Sequence, residues 1–189
     1  MFKYSNVMKF RVLISIISLC LMSAGTLMAQ TSATISANSS AEIVAPLTIS
    51  DNSGLAGGTT LNFGRMTISP TDNGTCVVSA ANVRSVSGGV TAVDASTTST
   101  ASFAVTGRAG ATYAITLPAA PINITREGGV ETMSVALFRA LPASAGVEQS
   151  TGTLIGGSDT FTVGGTLQVS AAQAEGVYNG AFNVTVAYN

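Results

Sequence analysis

Residues 176–189 read GVYNGAFNVTVAYN, and from Tyr178 onward the larger apolar side chains fall only on even-numbered positions. An extended chain points alternate side chains to opposite faces, so a period of two is typical of a strand with one buried face. Shorter runs with the same period surround Phe103, Tyr113, Met133 and Leu167. The closing segment is predicted to be a strand whose inward face carries Tyr178, Phe182, Val184, Val186 and Tyr188.

Glycine-rich turns separate these alternating runs, for example at Asp72–Gly74, Gly88–Gly89 and Gly164–Gly165. No long stretch places apolar residues three and four apart, which is the spacing of an amphipathic helix. Many short strands separated by turns are typical of an all-β sandwich. We therefore predict an all-β, immunoglobulin-like (pilin-like) antiparallel sandwich of about seven to ten strands.

The N-terminus has the composition of a secretory signal peptide. Lys3, Lys9 and Arg11 precede the apolar run 12–21, and small residues follow it. The apolar run is shorter than the roughly 20 residues of a membrane-spanning helix. We expect residues 1–29 to be removed after Ala29, leaving no stable membrane span. The mature protein is then expected to be secreted through the inner membrane to the periplasm, the cell surface or the medium.

The types of residue present argue against an enzyme. The chain has no histidine, which excludes Ser-His-Asp and Cys-His sites and removes the commonest zinc ligand. Glu127 and Glu131 flank the pair Gly128-Gly129, and we interpret them as solvated charges of a hairpin loop. We predict no catalytic residues, no metal and no cofactor. The mature chain has five arginines, no lysine and nine acidic residues, so no basic stripe is available for nucleic acid.

The cysteines predict a protein without a disulfide. Cys20 lies in the predicted signal peptide, so Cys76 is left without an intramolecular partner. Val77 and Val78 follow it, and we favour a small buried hydrophobic residue over an intermolecular bridge.

Residues 31–49 alternate over an unusually long stretch, with small or apolar residues at the odd positions. One interpretation is a flexible extension that joins a first strand near residues 38–40. The other is a single bent edge strand. We predict an extended N-terminal arm over residues 30–40 and a single β-sandwich domain over residues 41–189.

The chain resembles two known groups of proteins. The segments 43–49, 61–64, 103–107 with 113–118, and 167–188 resemble a small secreted family known as domain of unknown function 4402, and together they cover most of residues 41–189. Gly176 is the fourteenth residue from the end and Tyr188 the second. In these two places the chain resembles the last strand of chaperone–usher pilins. Unlike typical pilins, it has no disulfide between its first strands.

These features predict a secreted structural subunit, pilin-like or fimbrial, that assembles or adheres by β-strand addition. Its partners would be further copies of itself or a periplasmic chaperone. The alternative is a self-complete secreted module that binds a glycan or a surface partner. The candidate strand-exchange interface consists of an alternating arm and a closing strand, with the residues Ala33, Ile35, Ala37, Gly176, Val184, Val186 and Tyr188.

Overall fold

The computed structural model describes residues 32–52, 58–94 and 98–189. The regular elements in these ranges are all β-strands. Their bounds are β1 Thr48–Asp51, β2 Arg65–Ile68, β3 Gly74–Val78, β4 Arg84–Gly88, β5 Val90–Asp94, β6 Ala101–Thr106, β7 Thr112–Thr116, β8 Ile122–Arg126, β9 Thr132–Pro142, β10 Thr151–Thr153, β11 Ser158–Val169, β12 Tyr178–Asn179 and β13 Thr185–Tyr188. In the described residues, no helix is long and apolar enough to cross a membrane. The predicted signal peptide lies outside these ranges.

Eight strands form one large antiparallel sheet. Its main order is β1-β6-β11-β9-β8-β12, with β3 paired to β11 and β4 paired to β3. The central strand β11 has 12 residues, the most of any strand in the described ranges. Its first half pairs with β6 and its second half with β3, while β9 runs along its other side. This strand therefore organises the sheet.

Gly164 and Gly165 lie where β11 changes partner from β6 to β3. A Cβ atom on Gly164 would collide with the carbonyl oxygen of Val78 and with the Ser79–Ala80 peptide. The register with β9 also shifts here, between Gly164 and Thr166, and Leu137 on β9 adopts a left-handed φ of 52°. This irregularity is a β-bulge whose extra residue lies on β9, opposite the glycine pair, so the pair lies inside a strand instead of in a turn. The close approach of the Val78–Ala80 backbone explains why residue 164 is glycine.

Two smaller sheets complete the architecture, one in the order β10-β7-β13 and one consisting of β2 and β5. Side chains from the large sheet and the smaller sheets form one buried cluster. Tyr113 of β7 is fully buried and lies 6.5 Å from Phe161 of β11, measured between ring centroids. The all-β, immunoglobulin-like sandwich predicted from the periodicity is confirmed.

The closing segment forms two short strands instead of one continuous strand. β12 pairs with β8 of the large sheet, whereas β13 pairs with β7 of a smaller sheet. The predicted alternation is nevertheless kept, because Phe182, Val184 and Val186 are half-buried and the residues between them are exposed. Changes of sheet and partner of this kind divide long alternating segments into shorter strands. The described residues therefore contain 13 strands, more than the seven to ten predicted.

Candidate strand-addition site

The N-terminal segment holds the first part of the predicted interface. Residues 32–47 form no strand, and the first strand begins only at Thr48. Ala33, Ile35 and Ala37 are exposed, with 92% of the Ile35 surface accessible to solvent. Of the two interpretations left open by the sequence, an extension ahead of the first strand describes these residues. The extension continues to residue 47, past the predicted joint near residues 38–40.

Val184, Val186 and Tyr188 lie at the edge of the sheet β10-β7-β13. Val186 and Tyr188 pair with Ile115 and Tyr113 of β7. On its other side β13 has no strand partner among the described residues. All three side chains are half-buried against the core. The structure thus places these predicted residues on an open sheet edge, with their side chains turned inward.

The hydroxyl of Tyr188 joins two other parts of the chain. It accepts a hydrogen bond from the backbone N–H of Arg108 at 2.7 Å and donates one to the carbonyl oxygen of Ala45 at 2.9 Å. The ring covers Gly107 so closely that a Cβ atom there would collide with the Tyr188 hydroxyl. Tyr188 therefore fastens the segment before β1 and the turn after β6 to the closing strand.

Gly176 lies in the turn that precedes β12. Its φ of 143° is in the region that favours glycine, and a Cβ atom would lie 3.0 Å from the Cδ atom of Arg126. Arg126 forms a bidentate ion pair with Glu131, with its Nε atom 2.7 Å from the carboxylate. The hydrogen bonds from Arg126 lower the pKa of Glu131 to about 2. Glu127 accepts a hydrogen bond from Asn179, so both loop carboxylates are engaged with neighbouring side chains.

A large cleft lies beside these residues. Its volume is about 1250 Å³, and its lining includes two continuous segments, residues 59–68 and residues 173–182, which we call its walls. The floor is the inner face of the large sheet, with the apolar side chains Phe103, Ile122, Ile124, Met133, Leu167 and Val169. Gly176 is in its lining, whereas Val184, Val186 and Tyr188 lie just beyond it. The cleft is of a size and character that binds apolar groups.

Both walls of the cleft carry backbone without a strand partner. β2 pairs with β5 on one edge and has no strand partner on the other among the described residues. Residues 180–184 belong to no strand and make no backbone hydrogen bond within the described part of the chain. Open backbone edges of this kind are templates for pairing with another extended chain.

The remaining polar groups of the core are paired. The carboxylate of Asp159 accepts hydrogen bonds from the Tyr113 hydroxyl and from the backbone and hydroxyl of Ser144. Burial, together with the bond to Asp159, raises the pKa of Tyr113. We interpret this group as a connection between β7, β11 and the loop after β9. Among the described residues, no three His, Cys, Asp or Glu side chains are grouped as metal ligands would be.

Cys76 is fully buried and has a free thiol, as the sequence predicted. Burial raises the pKa of this thiol above its ordinary value. Its sulfur is 3.7 Å from the carbonyl oxygen of Phe63. The residue behaves as a small core side chain.

Sequence patterns predicted the strands of the cleft floor but did not reveal the cleft. Met133 was assigned to a buried strand face, but its side chain is only half-buried and lines the cleft. The nearest signal in the sequence is the Asn179-Gly180 pair inside the closing run, which marks the point where the chain leaves one sheet.

The family model described as Domain of unknown function (DUF4402) matches residues 47–188. No curated protein and no solved structure matches the chain significantly. The family resemblance seen in the sequence is confirmed by this match.

Proposed function

The chain belongs to the domain of unknown function 4402 family, and from its cleft and its exposed N-terminal segment we propose that it is a secreted, non-enzymatic structural subunit. It would be pilin-like or fimbrial and would assemble or adhere by β-strand addition. Its place of action would be the periplasm, the cell surface or the medium. Its partners would be further copies of the chain or a periplasmic chaperone that covers its open edges.

The observation that carries the proposal is the cleft with unpaired backbone along its walls. An added strand gains main-chain hydrogen bonds from a sheet edge and places alternate side chains in pockets. Here the floor supplies the apolar pockets, and residues 180–184 supply the unpaired backbone. Monomeric proteins normally blunt such edges with charges, bulges or covering loops. Strand addition would explain both the apolar floor and the unpaired backbone of residues 180–184.

Two further features support a role without catalysis. The chain lacks histidine, and the two carboxylates of the β8–β9 loop are engaged with Arg126 and Asn179. The half-buried carboxylate of Asp159 and the hydroxyls bonded to it connect neighbouring strands and lie outside the cleft. We interpret the loop carboxylates and the group around Asp159 as structural contacts that stabilise the fold.

Deleting residues 30–38 from the mature protein tests the proposal. These residues precede the first strand and are exposed where the structure describes them, so the deletion should leave the far-ultraviolet circular dichroism spectrum unchanged. We expect self-association to be lost, as measured by size-exclusion chromatography over a range of concentrations. A variant in which residues 30–38 are replaced by an equal number of Gly and Ser residues separates the effect of side chains from that of length.

A parent protein that stays monomeric at every concentration would favour a self-complete binding module instead. Loss of the β signal in the deletion variant would mean that the segment is an integral strand. Either result contradicts assembly through this segment.

A further inference from the structure

The lining of the cleft includes a strand of one smaller sheet and ends close to a strand of the other. One of its walls contains β2, which belongs to the sheet β2-β5. The other wall ends at Phe182, three residues before β13 of the sheet β10-β7-β13. An extended chain in the cleft would therefore lie between the two sheets, with backbone to pair on both sides. It would join them into one continuous layer opposite the large sheet.

The character of the walls favours a peptide over an aliphatic ligand. An acyl chain would fill the apolar floor but would shield the backbone of residues 180–184 from water without pairing it. Shielded backbone N–H and C=O groups need hydrogen-bond partners. An extended peptide provides these partners and covers the floor with alternate side chains. The cleft is thus suited to a β-strand.

Residues 33–43 have the properties of a matching strand. Their odd positions carry only small or apolar side chains, in the order Ala33, Ile35, Ala37, Ser39, Ala41 and Ile43. The only charged side chain of the segment is Glu42, at an even position that would face away from the apolar floor of the cleft. Ile35 and Ile43 are 92% and 98% exposed, so both side chains present apolar surface to a partner.

We propose that the cleft of one copy receives residues 33–43 of a second copy, with Ile35 and Ile43 as its two anchors on the floor. The anchors are eight residues apart, which is about 26 Å in an extended strand. The small residues between them allow the added backbone to approach both walls. This inference rests on the proposed function, because it specifies the acceptor and the donor of the same strand addition.

Cross-linking between two single-cysteine additions tests the assignment. A mature protein carrying Ser36→Cys is mixed with a size-tagged mature protein carrying Ala181→Cys, because Ser36 would face away from the floor in the proposed complex and Ala181 is an exposed position of the cleft wall. After mild oxidation, we expect a mixed disulfide on a non-reducing gel and the corresponding linked peptides by mass spectrometry. Cys76 stays in place because it is buried.

Two controls match this pair in exposure. Ile35→Cys lies on the opposite face of the donor from Ser36, and Val86→Cys lies on β4, an edge strand of the large sheet. The pairs Ile35→Cys with Ala181→Cys, and Ser36→Cys with Val86→Cys, should give about tenfold less mixed disulfide, because the thiols of the first pair face opposite sides of the added strand and those of the second pair meet only by diffusion. In a second measurement, Ile35→Glu should weaken self-association about tenfold or more, whereas Ser36→Glu should not.

The outcomes separate the two proposals. Efficient cross-linking of Ser36→Cys to Val86→Cys, or equal effects of the two glutamate substitutions, would overturn the cleft as acceptor while strand addition remained. Absence of any self-association of the parent protein in sedimentation velocity would overturn both.

Discussion

At the scale of single residues, the clearest structural role belongs to Tyr188. Its ring lies over Gly107 and its hydroxyl bridges Ala45 and Arg108. The residue thereby connects three parts of the chain that are distant in sequence. The sequence predicted that Tyr188 faces inward, but nothing local to it specified the two hydrogen-bond partners of its hydroxyl.

Substitutions at Tyr188 should distinguish its ring from its hydroxyl. Tyr188→Phe should lower the free energy of unfolding by about 1 to 2 kcal/mol, because it removes two hydrogen bonds and keeps the ring. Tyr188→Ala should cost about 3 kcal/mol, since the packing against the core is lost as well. Urea unfolding followed by circular dichroism measures both values.

Asn183→Ala is the control for these variants. Asn183 lies on the exposed face of the same closing segment, so its substitution should change the stability by less than about 0.5 kcal/mol. Equal unfolding midpoints for Tyr188→Phe and the parent would show that the hydroxyl contacts do not contribute to stability.

At the scale of elements, β11 and the closing segment differ from simple strands in the same way. Each changes its partner along its length, β11 from β6 to β3 and the closing segment from β8 to β7. Glycine marks both changes: Gly164 lies against the backbone of Ser79, and Gly180 lies against Ile124. A glycine inside an alternating run was the local sign that the run does not continue in one sheet.

Gly164→Ala should therefore be strongly destabilising. The new methyl group would collide with the backbone at Val78, which belongs to a paired strand and cannot move independently. We expect a loss of about 3 kcal/mol in the free energy of unfolding, at the upper end of overpacking effects. Gly110→Ala is the comparison, since Gly110 has a φ of 78° and open space around it. It should cost only about 1 to 2 kcal/mol, the strain of a left-handed alanine.

Thermal and urea unfolding of the two alanine variants test this difference. A Gly164→Ala protein as stable as Gly110→Ala would mean that β11 and the Val78–Ala80 segment separate easily, and that the partner change does not require glycine.

At the scale of the whole molecule, stability comes from one apolar cluster without a disulfide. Cys76 is part of that cluster, and it lies on β3, which joins the large sheet through β11. The described part of the chain buries its larger side chains between one extensive sheet and two small ones. The space between the small sheets is where we place the added strand.

Replacing Cys76 with Ala should leave the assembly state unchanged on a non-reducing gel. The thiol is buried and free, so it has no access to a second molecule. The substitution should cost about 1 kcal/mol in stability through lost packing. A dimer band of the parent protein that disappears in Cys76→Ala would contradict this prediction.

Side-chain alternation and turn chemistry are properties of the local chain, and they were sufficient to predict the all-β sandwich, the inward face of the closing segment and the buried Cys76. Which edges find partners depends instead on contacts between segments far apart in sequence. Only the tertiary structure therefore showed that Tyr178 and Tyr188 belong to different sheets, and that a cleft remains beside Phe182. The physical reason is that a strand's own sequence specifies which face it buries, whereas its hydrogen-bonding edges are the same backbone in every strand.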